Sequence, residues 1–204
     1  MTLGVRNTVV VIGAVIAVLL VLLFALSAYQ TFVVPDEPVL PGTMSHTWII
    51  WSWEVQRTDI HWSLVTAGVF GVGTAAALIV SIRVFRRVSS AELYFFVILL
   101  IALSLEQVRM VQGYLLLLEI PQFVGLAVTR VVVFGRVAAT LGFFAASLYA
   151  AGIEYPRIGS ITVVLAVLAF LLVYFVPVDT VEIDAGLVHR LGWQSSIELV
   201  MLCV

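Results

Sequence analysis

Five apolar runs, each long enough to cross a lipid bilayer, restrict what this sequence can fold into. A helix that crosses the roughly 30 Å of bilayer hydrocarbon needs about 20 apolar residues. Runs of that length predict transmembrane helices, whose backbone hydrogen bonds are satisfied without water. We therefore predict an all-α fold, a polytopic transmembrane helical bundle in a single transmembrane domain over residues 1–204. The predicted full spans cover about 8–34, 61–82, 91–118, 123–151 and 158–176.

A sixth apolar segment begins near Leu191 and reaches the last residue, Val204. Its 14 residues would extend only about 21 Å at about 1.5 Å per residue, which is short of a full crossing. We interpret it as a sixth span that is cut short, so that a cytoplasmic effector would follow beyond Val204. A half-span that ends inside the protein is the alternative.

The composition agrees with an integral membrane protein. The sequence is 63% hydrophobic and 11% charged, whereas soluble domains are about 45–50% apolar and about 25% charged. Cys203 is the single cysteine, which excludes a disulfide within the chain. Lys is absent, so no retinal Schiff base can form within these residues. The cofactor is unknown, and His46, His61 and His189 lack the spacing of a metal site.

The arginines predict the orientation of the bundle. Because loops rich in arginine stay in the cytoplasm, the side with more of them is expected to be internal. That side has Arg6, Arg83, Arg86, Arg87 and Arg157, and the opposite side has Arg57 and Arg190. The N-terminus is therefore predicted to be cytoplasmic. An aromatic belt is expected at the outer boundary, formed by Trp48, Trp51, Trp53, Trp62 and Trp193.

The longest predicted outer segment includes residues 43–62, which we expect to lie at the membrane surface. At helical spacing its apolar side chains form a rough stripe, and its polar ones lie apart from that stripe. We predict an interfacial helix that anchors the bundle; a lid over a ligand site is the alternative. The apolar stripe consists of Trp48, Trp51, Val55 and Trp62, and the polar residues are Glu54, Arg57 and His61.

The stretch LSLEQVRMVQGY, residues 103–114, places charged and amide side chains inside the third predicted span. Glu106 and Arg109 are three residues apart and share a helix face, which Gln112 continues, whereas Gln107 points elsewhere. A charge at the centre of a bilayer costs at least about 2.5–3.5 kcal/mol. These side chains therefore need partners, water or a ligand.

The fourth predicted span supplies candidate partners. Arg136 falls near its middle and Arg130 lies further toward the outside. Because the third and fourth spans are antiparallel neighbours, depth matches Glu106 to Arg136 and Arg109 to Arg130. The two arginines of the fourth span are six residues apart, about 240° around a helix, so they cannot both face one point.

The sixth segment adds Gln194 and Glu198, and Glu198 would reach the depth of Arg130. Three deep arginines against two glutamates leave one cation over, and guanidinium binds carboxylate and phosphate groups in a bidentate manner. We therefore predict a site for a small anionic ligand. Its ligand-binding residues are Arg109, Arg130, Arg136 and Gln112, and Glu106 and Glu198 form supporting ion pairs.

Small residues recur at four-residue spacing in the second predicted span. Ala67, Gly71 and Ala75 would lie on one face of that helix. Small residues at this spacing let membrane helices approach closely. The pattern predicts helix packing and not a ligand site.

Three interpretations of the polar residues stay open: a ligand site, a structural network, and an ion or proton pathway. The leading hypothesis is a sensory or ligand-receiving module of a bacterial inner membrane, in which a ligand that enters from outside changes helix packing. A transporter or channel subunit is the alternative, and a structural subunit without ligand the second. No catalytic residue or enzyme motif is found. The expected partners are membrane lipids, a small anionic ligand and a cytoplasmic effector, and no nucleic acid.

Overall fold

The computed structural model describes residues 3–32, 46–50, 53–57, 60–85, 90–117, 121–152, 158–183 and 188–191. Its helices are α1 Leu3–Phe32, α2 Ile60–Phe85, α3 Ala91–Ser104, α4 Arg109–Leu117, α5 Gln122–Ala150 and α6 Ile158–Phe175. A 3₁₀ turn, Leu105–Val108, joins α3 to α4. Two antiparallel strand pairs are also present: β1 His46–Ile50 with β2 Trp53–Arg57, and β3 Val178–Ile183 with β4 His189–Leu191.

The described chain contains five stretches that are long and apolar enough to cross a membrane. These stretches coincide with the five predicted full spans, and the third runs through α3, the 3₁₀ turn and the start of α4. The predicted fold class, a polytopic helical bundle, is confirmed, and the chain is a multi-pass membrane protein. The stretches are Asn7–Gln30, Val65–Val84, Ala91–Gln112, Phe123–Ala150 and Ile158–Phe175.

Local sequence signals set the ends of two central helices. Ser90 precedes α3, and its hydroxyl accepts a hydrogen bond from the backbone N–H of Leu93 at 3.2 Å. Such an N-cap satisfies one of the free donors of the first turn, and Glu92 complements the helix dipole there. α5 ends before Gly152, whose φ of 87° is accessible to glycine at little cost.

The third span lies at the centre of the bundle. α3 packs along α5 on one side and against α1 and α2 on the other, and α6 packs on α5. Near the start of α3, the fully buried Phe95 stacks on Tyr149 of α5 with a centroid separation of 5.3 Å. Tyr94 meets the Phe95 ring edge-on at 5.5 Å. Aromatic pairs of this kind stabilise by about 0.5–1.5 kcal/mol beyond the area that they bury.

The small-residue face of α2 is buried as predicted. Ala67, Gly71 and Ala75 are all buried, and Leu78 continues the same face. On α1, a Cβ at Gly13 would overlap the side chain of Ile101 of α3. Small side chains therefore bring α1 and α2 close to the third span.

The expected interfacial helix in the outer segment is wrong where the structure describes that segment. His46–Ile50 and Trp53–Arg57 form an antiparallel ladder in which Trp48 pairs with Val55 and Ile50 with Trp53. Aromatic and β-branched residues make up four of the five residues of His46–Ile50 and two of the five of Trp53–Arg57, and both types favour the extended chain over the helix. The apolar spacing fitted a helix only roughly, whereas the local propensity favours strands.

The sixth apolar segment lies almost wholly outside the described residues. Leu191, where we expected it to begin, is the last residue of β4 and pairs with Val178 of β3. Gln194 and Glu198 belong to the part of the chain that is not described, so their predicted contribution to the site stays a prediction.

Candidate functional site

The polar residues of the third span begin at the point where its helix changes geometry. In the 3₁₀ turn, the backbone N–H of Leu105 donates to the carbonyl of Ala102 and that of Arg109 donates to the carbonyl of Glu106. Both bonds join residues three apart, and ψ at Ser104 is −23°, less negative than the usual helical value of about −42°. The sequence contained no signal for this turn, because none of its residues is Gly or Pro.

Close helix packing surrounds the 3₁₀ turn. It contacts α1, α2 and α5. On α5, Gly135 lies so near that a Cβ there would be 2.7 Å from the carbonyl oxygen of Ala102 and 2.9 Å from Cβ of Leu105. The turn therefore lies in the interior of the bundle, at a point where the backbone of α5 is in direct contact with the backbone of the third span.

Gln107 is the most deeply buried polar residue of the turn, with no exposed surface. Its amide Nε2 donates to the backbone carbonyl of Ala67 on α2 at 3.1 Å. A Cβ at Gly71 would lie 2.5 Å from Oε1 of Gln107, so only glycine leaves room for the amide. Within the described part of the chain, that Oε1 has no hydrogen-bond partner.

Gln107 lies outside the predicted site, because its side chain leaves the helix face that Glu106 and Arg109 share. The signal that could have identified it lies in α2. Ala67 and Gly71 are small residues at matching depth, and small residues also make room for polar side chains. The small-residue face therefore has two functions, helix packing and the accommodation of an amide.

Glu106 and Arg136 form an ion pair between the 3₁₀ turn and α5. Nε of Arg136 contacts Oε1 of Glu106, and its Nη2 donates to Oε2 at 3.2 Å, so the contact is bidentate. The pairing expected from matched depth is present. The side chains are 15% exposed for Glu106 and 38% for Arg136, which places the pair at the edge of the interior and not at its centre.

Arg109 and Gln112 extend into the interior from α4. Arg109 is 9% exposed and Gln112 is 3% exposed. Thr129 on α5, which packs against α4, is completely buried as well. The prediction that Arg109 faces the interior is confirmed, and a fully charged guanidinium thus lies inside a membrane-spanning bundle.

Arg130 is not brought to this interior face. Its side chain is exposed, and its guanidinium carbon lies 5.9 Å from the ring centroid of Tyr174 on α6. The 240° between the two arginines of α5 is the reason, because Arg136 occupies the side that faces the third span. A cation–π contact of this kind stabilises by about 0.5–1 kcal/mol at an exposed site.

Of the predicted site, the structure thus pairs Glu106 with Arg136, buries Arg109 and Gln112, and leaves Arg130 exposed. We call Glu106, Gln107, Arg109, Gln112 and Arg136 the interior polar cluster. Two hollows between the described helices, one beside α6 and one beside α2, are lined almost entirely by apolar groups, and neither is lined by Arg109 or Gln112. Ligand binding at the cluster therefore stays a prediction.

Comparison of the chain with models of protein families, with curated proteins and with solved structures found no match. Inference about function accordingly rests on the residues and geometry of the interior polar cluster. A helical bundle alone does not specify a function, because the same architecture serves many.

Proposed function

We propose that this chain is a sensory or ligand-receiving module of a membrane, in which a small anionic ligand acts at the interior polar cluster. The observation that supports it is the burial of Arg109 immediately after a 3₁₀ turn in the central span. In this proposal the membrane is a bacterial inner membrane, the N-terminus is cytoplasmic, and the ligand enters from outside.

The chemistry of the cluster favours an anion. A guanidinium keeps its charge at any physiological pH and presents a fork of donors that matches carboxylate and phosphate. The carboxylate of Glu106 is engaged by both contacting nitrogens of Arg136. A ligand carboxylate beside Arg109 and the Gln112 amide would find a charge and a neutral donor in a desolvated site, where such bonds are strongest.

In this proposal the 3₁₀ turn is the element that changes arrangement when the ligand binds. A 3₁₀-helix has 3.0 residues per turn and rises about 2.0 Å per residue, against 3.6 residues and about 1.5 Å for an α-helix. Conversion of the four residues Leu105–Val108 to α-helix would rotate α4 by about 80° relative to α3 and shorten the span by about 2 Å. A ligand that binds the two arrangements unequally would shift their populations.

A transporter or channel subunit is the second candidate. The observation that favours it is the partial exposure of Arg136, 38% of its side chain, while its guanidinium remains paired with Glu106 near mid-span. Ionisable residues inside membrane-spanning segments often mark the pathway of an ion. Flux of acetate, succinate, phosphate or sulfate into proteoliposomes that contain the protein would favour this candidate over a sensor.

Thermal unfolding in lipid nanodiscs tests the proposal. Acetate, succinate, phosphate and sulfate are compared with chloride at equal ionic strength. We expect at least one to raise Tm, because a ligand at 100 times its Kd stabilises the folded state by about 2.7 kcal/mol. Arg109→Gln should remove the shift, whereas Arg83→Gln, the same change at an exposed position on α2, should retain it. The proposal fails if no anion raises Tm, or if Arg109→Gln leaves the shift intact.

A further inference from the structure

An apolar groove lies between α3 and α6. Both helices pack on α5 but scarcely contact each other, so α5 forms the floor of the gap between them. The walls include Ile98 and Ile101 from α3 and Leu165 from α6. The groove has a volume of about 170 Å³.

Small residues create this groove. Its floor includes Ala138 and Gly142, which lie four residues apart on one face of α5, and Ala166 lies on its α6 wall. A Cβ at Gly142 would meet the backbone of Leu99 at 3.4 Å, so an alanine could be placed there in ordinary contact. The gap between α3 and α6 is therefore unfilled because Ala138 and Gly142 of α5 and Ala166 of α6 are small.

The chemistry of the lining restricts what can fill the groove. Among the described residues that line the groove, Thr162 alone carries a side-chain hydroxyl, and that hydroxyl donates to the backbone carbonyl of Ile158 at 3.0 Å. A water molecule in a cavity needs two to four polar partners, and apolar cavities of about 150 Å³ stay dry or accept hydrocarbon. The groove suits a hydrocarbon occupant.

The position of the groove within the bundle identifies the source of the hydrocarbon. Its lining residues lie within the membrane-spanning stretches Ala91–Gln112, Phe123–Ala150 and Ile158–Phe175. It is continuous with lipid-facing surface, because Phe143 of α5 and Val163 of α6, next to lining residues, are 52% and 63% exposed. We infer that the groove is a binding site for one acyl chain of a bilayer phospholipid.

Such a chain would contact the element that the interior polar cluster depends on. The groove is also lined by Ala102 and Leu105, where the 3₁₀ turn begins. The driving force is packing, because lipid tails are as apolar as the lining side chains, whereas an unfilled gap forfeits dispersion contacts. A bound acyl chain would pack against Ala102 and Leu105 and so stabilise the start of the turn.

Photo-crosslinking tests this inference independently of any anion. The protein is reconstituted in nanodiscs that contain a phosphatidylcholine with a diazirine at mid-chain, and cross-linked residues are mapped by mass spectrometry. We expect the groove residues to be labelled several-fold more than Val72 of α2 and Val167 of α6, which are lipid-exposed. Equal labelling at all lipid-facing residues of similar depth would overturn the inference.

A filling variant and a second probe strengthen the test. Ala138→Leu should abolish the excess labelling in the groove, and Ala76→Leu, the same change at an exposed position of α2, should leave it unchanged. If Ala138→Leu fails to fold, the wild-type map alone still tests the inference. Labelling of the groove by a free diazirine fatty acid, but not by the phospholipid, would contradict the assignment to a phospholipid chain.

Discussion

At the scale of single residues, the structure shows how a membrane bundle accommodates polar side chains at mid-depth. Gln107 is matched to glycine on the neighbouring helix, and Glu106 is matched to an arginine. The glycine leaves room for the amide, whose nitrogen donates to the carbonyl of Ala67, and the arginine pairs with a carboxylate that lipid could not solvate. The two matches differ in kind, because the first depends on shape and the second on charge, and they respond differently to substitution.

Gly71→Ala should destabilise the bundle, because the added Cβ would overlap the amide of Gln107. Overpacking of this kind costs about 1–3 kcal/mol. Gly73 is a matched control on the same helix, since nothing lies within 4 Å of its Cβ position, and Gly73→Ala should be neutral or stabilise by up to about 1 kcal/mol. Unfolding in detergent measures both. In a Gln107→Ala background the cost of Gly71→Ala should fall, and an unchanged cost would contradict this contact.

Glu106→Gln and Arg136→Gln should each lower the unfolding midpoint in detergent, because each leaves a charge near mid-span without its partner. The double change should recover part of the loss. Side-chain hydrogen bonds between membrane helices couple by about 0.6 kcal/mol on average and by about 1.7 kcal/mol at most, and we expect a value in the upper half of this range. Strict additivity of the two losses would contradict a direct pair.

At the scale of secondary-structure elements, hydropathy did not predict the 3₁₀ turn, the β1–β2 ladder or the β3–β4 pair, and the first two bear on the interpretation of the sequence. The five spans followed from the length of their apolar runs, which is a property of composition alone. The 3₁₀ turn depends on tertiary packing, because Gly135 of α5 lies against its start. The ladder depends on strand propensity, which a search for helical stripes in the outer segment does not detect.

The candidate site was partly predictable for similar reasons. The Glu106–Arg136 pair followed from depth, because lipid penalises either charge alone. Arg130 is about 240° around α5 from Arg136, so it had to face away from the third span once Arg136 faced it. Matching residues by depth alone does not take this angle into account. The role of Gln107 required knowledge of which face of α2 lies opposite, and this comes only from the packed bundle.

A cysteine pair tests the β1–β2 ladder. In a Cys203→Ser background, Thr47→Cys with Gln56→Cys should oxidise readily, because the two positions are Cα partners and such partners lie about 4.5–5.5 Å apart. His46→Cys with Glu54→Cys, which is three residues out of register and so offset by about 10 Å, should not. An interfacial helix would separate Thr47 and Gln56 by about 13 Å, so a failure of the first pair to oxidise would favour the helix.

At the scale of the whole molecule, the orientation and the response to ligand are the properties that the proposed function requires. Reporter fusions after Arg87 and after Arg157 should give a cytoplasmic signal, and fusions after Gly42 and after Asp184 an external one, because arginine-rich loops remain inside. Alkaline phosphatase and a fluorescent protein serve as the paired reporters. An external signal after Arg87 would show that the bundle has the opposite orientation, with Arg109 nearer the cytoplasm.

We propose that the 3₁₀ turn and Arg109 form a ligand-sensitive element, and a distance measured by pulsed EPR tests this proposal. In a Cys203→Ser background, spin labels are placed at Tyr114 of α4 and at Leu26 of α1, which is 59% exposed. An 80° rotation moves a side chain at a radius of about 5 Å by about 6 Å. We expect a stabilising anion to shift the Tyr114–Leu26 distance in wild type but not in Arg109→Gln, and to leave the distance of a reference pair at Leu26 and Val65 unchanged. A Tyr114–Leu26 distance that the anion leaves unchanged would contradict it.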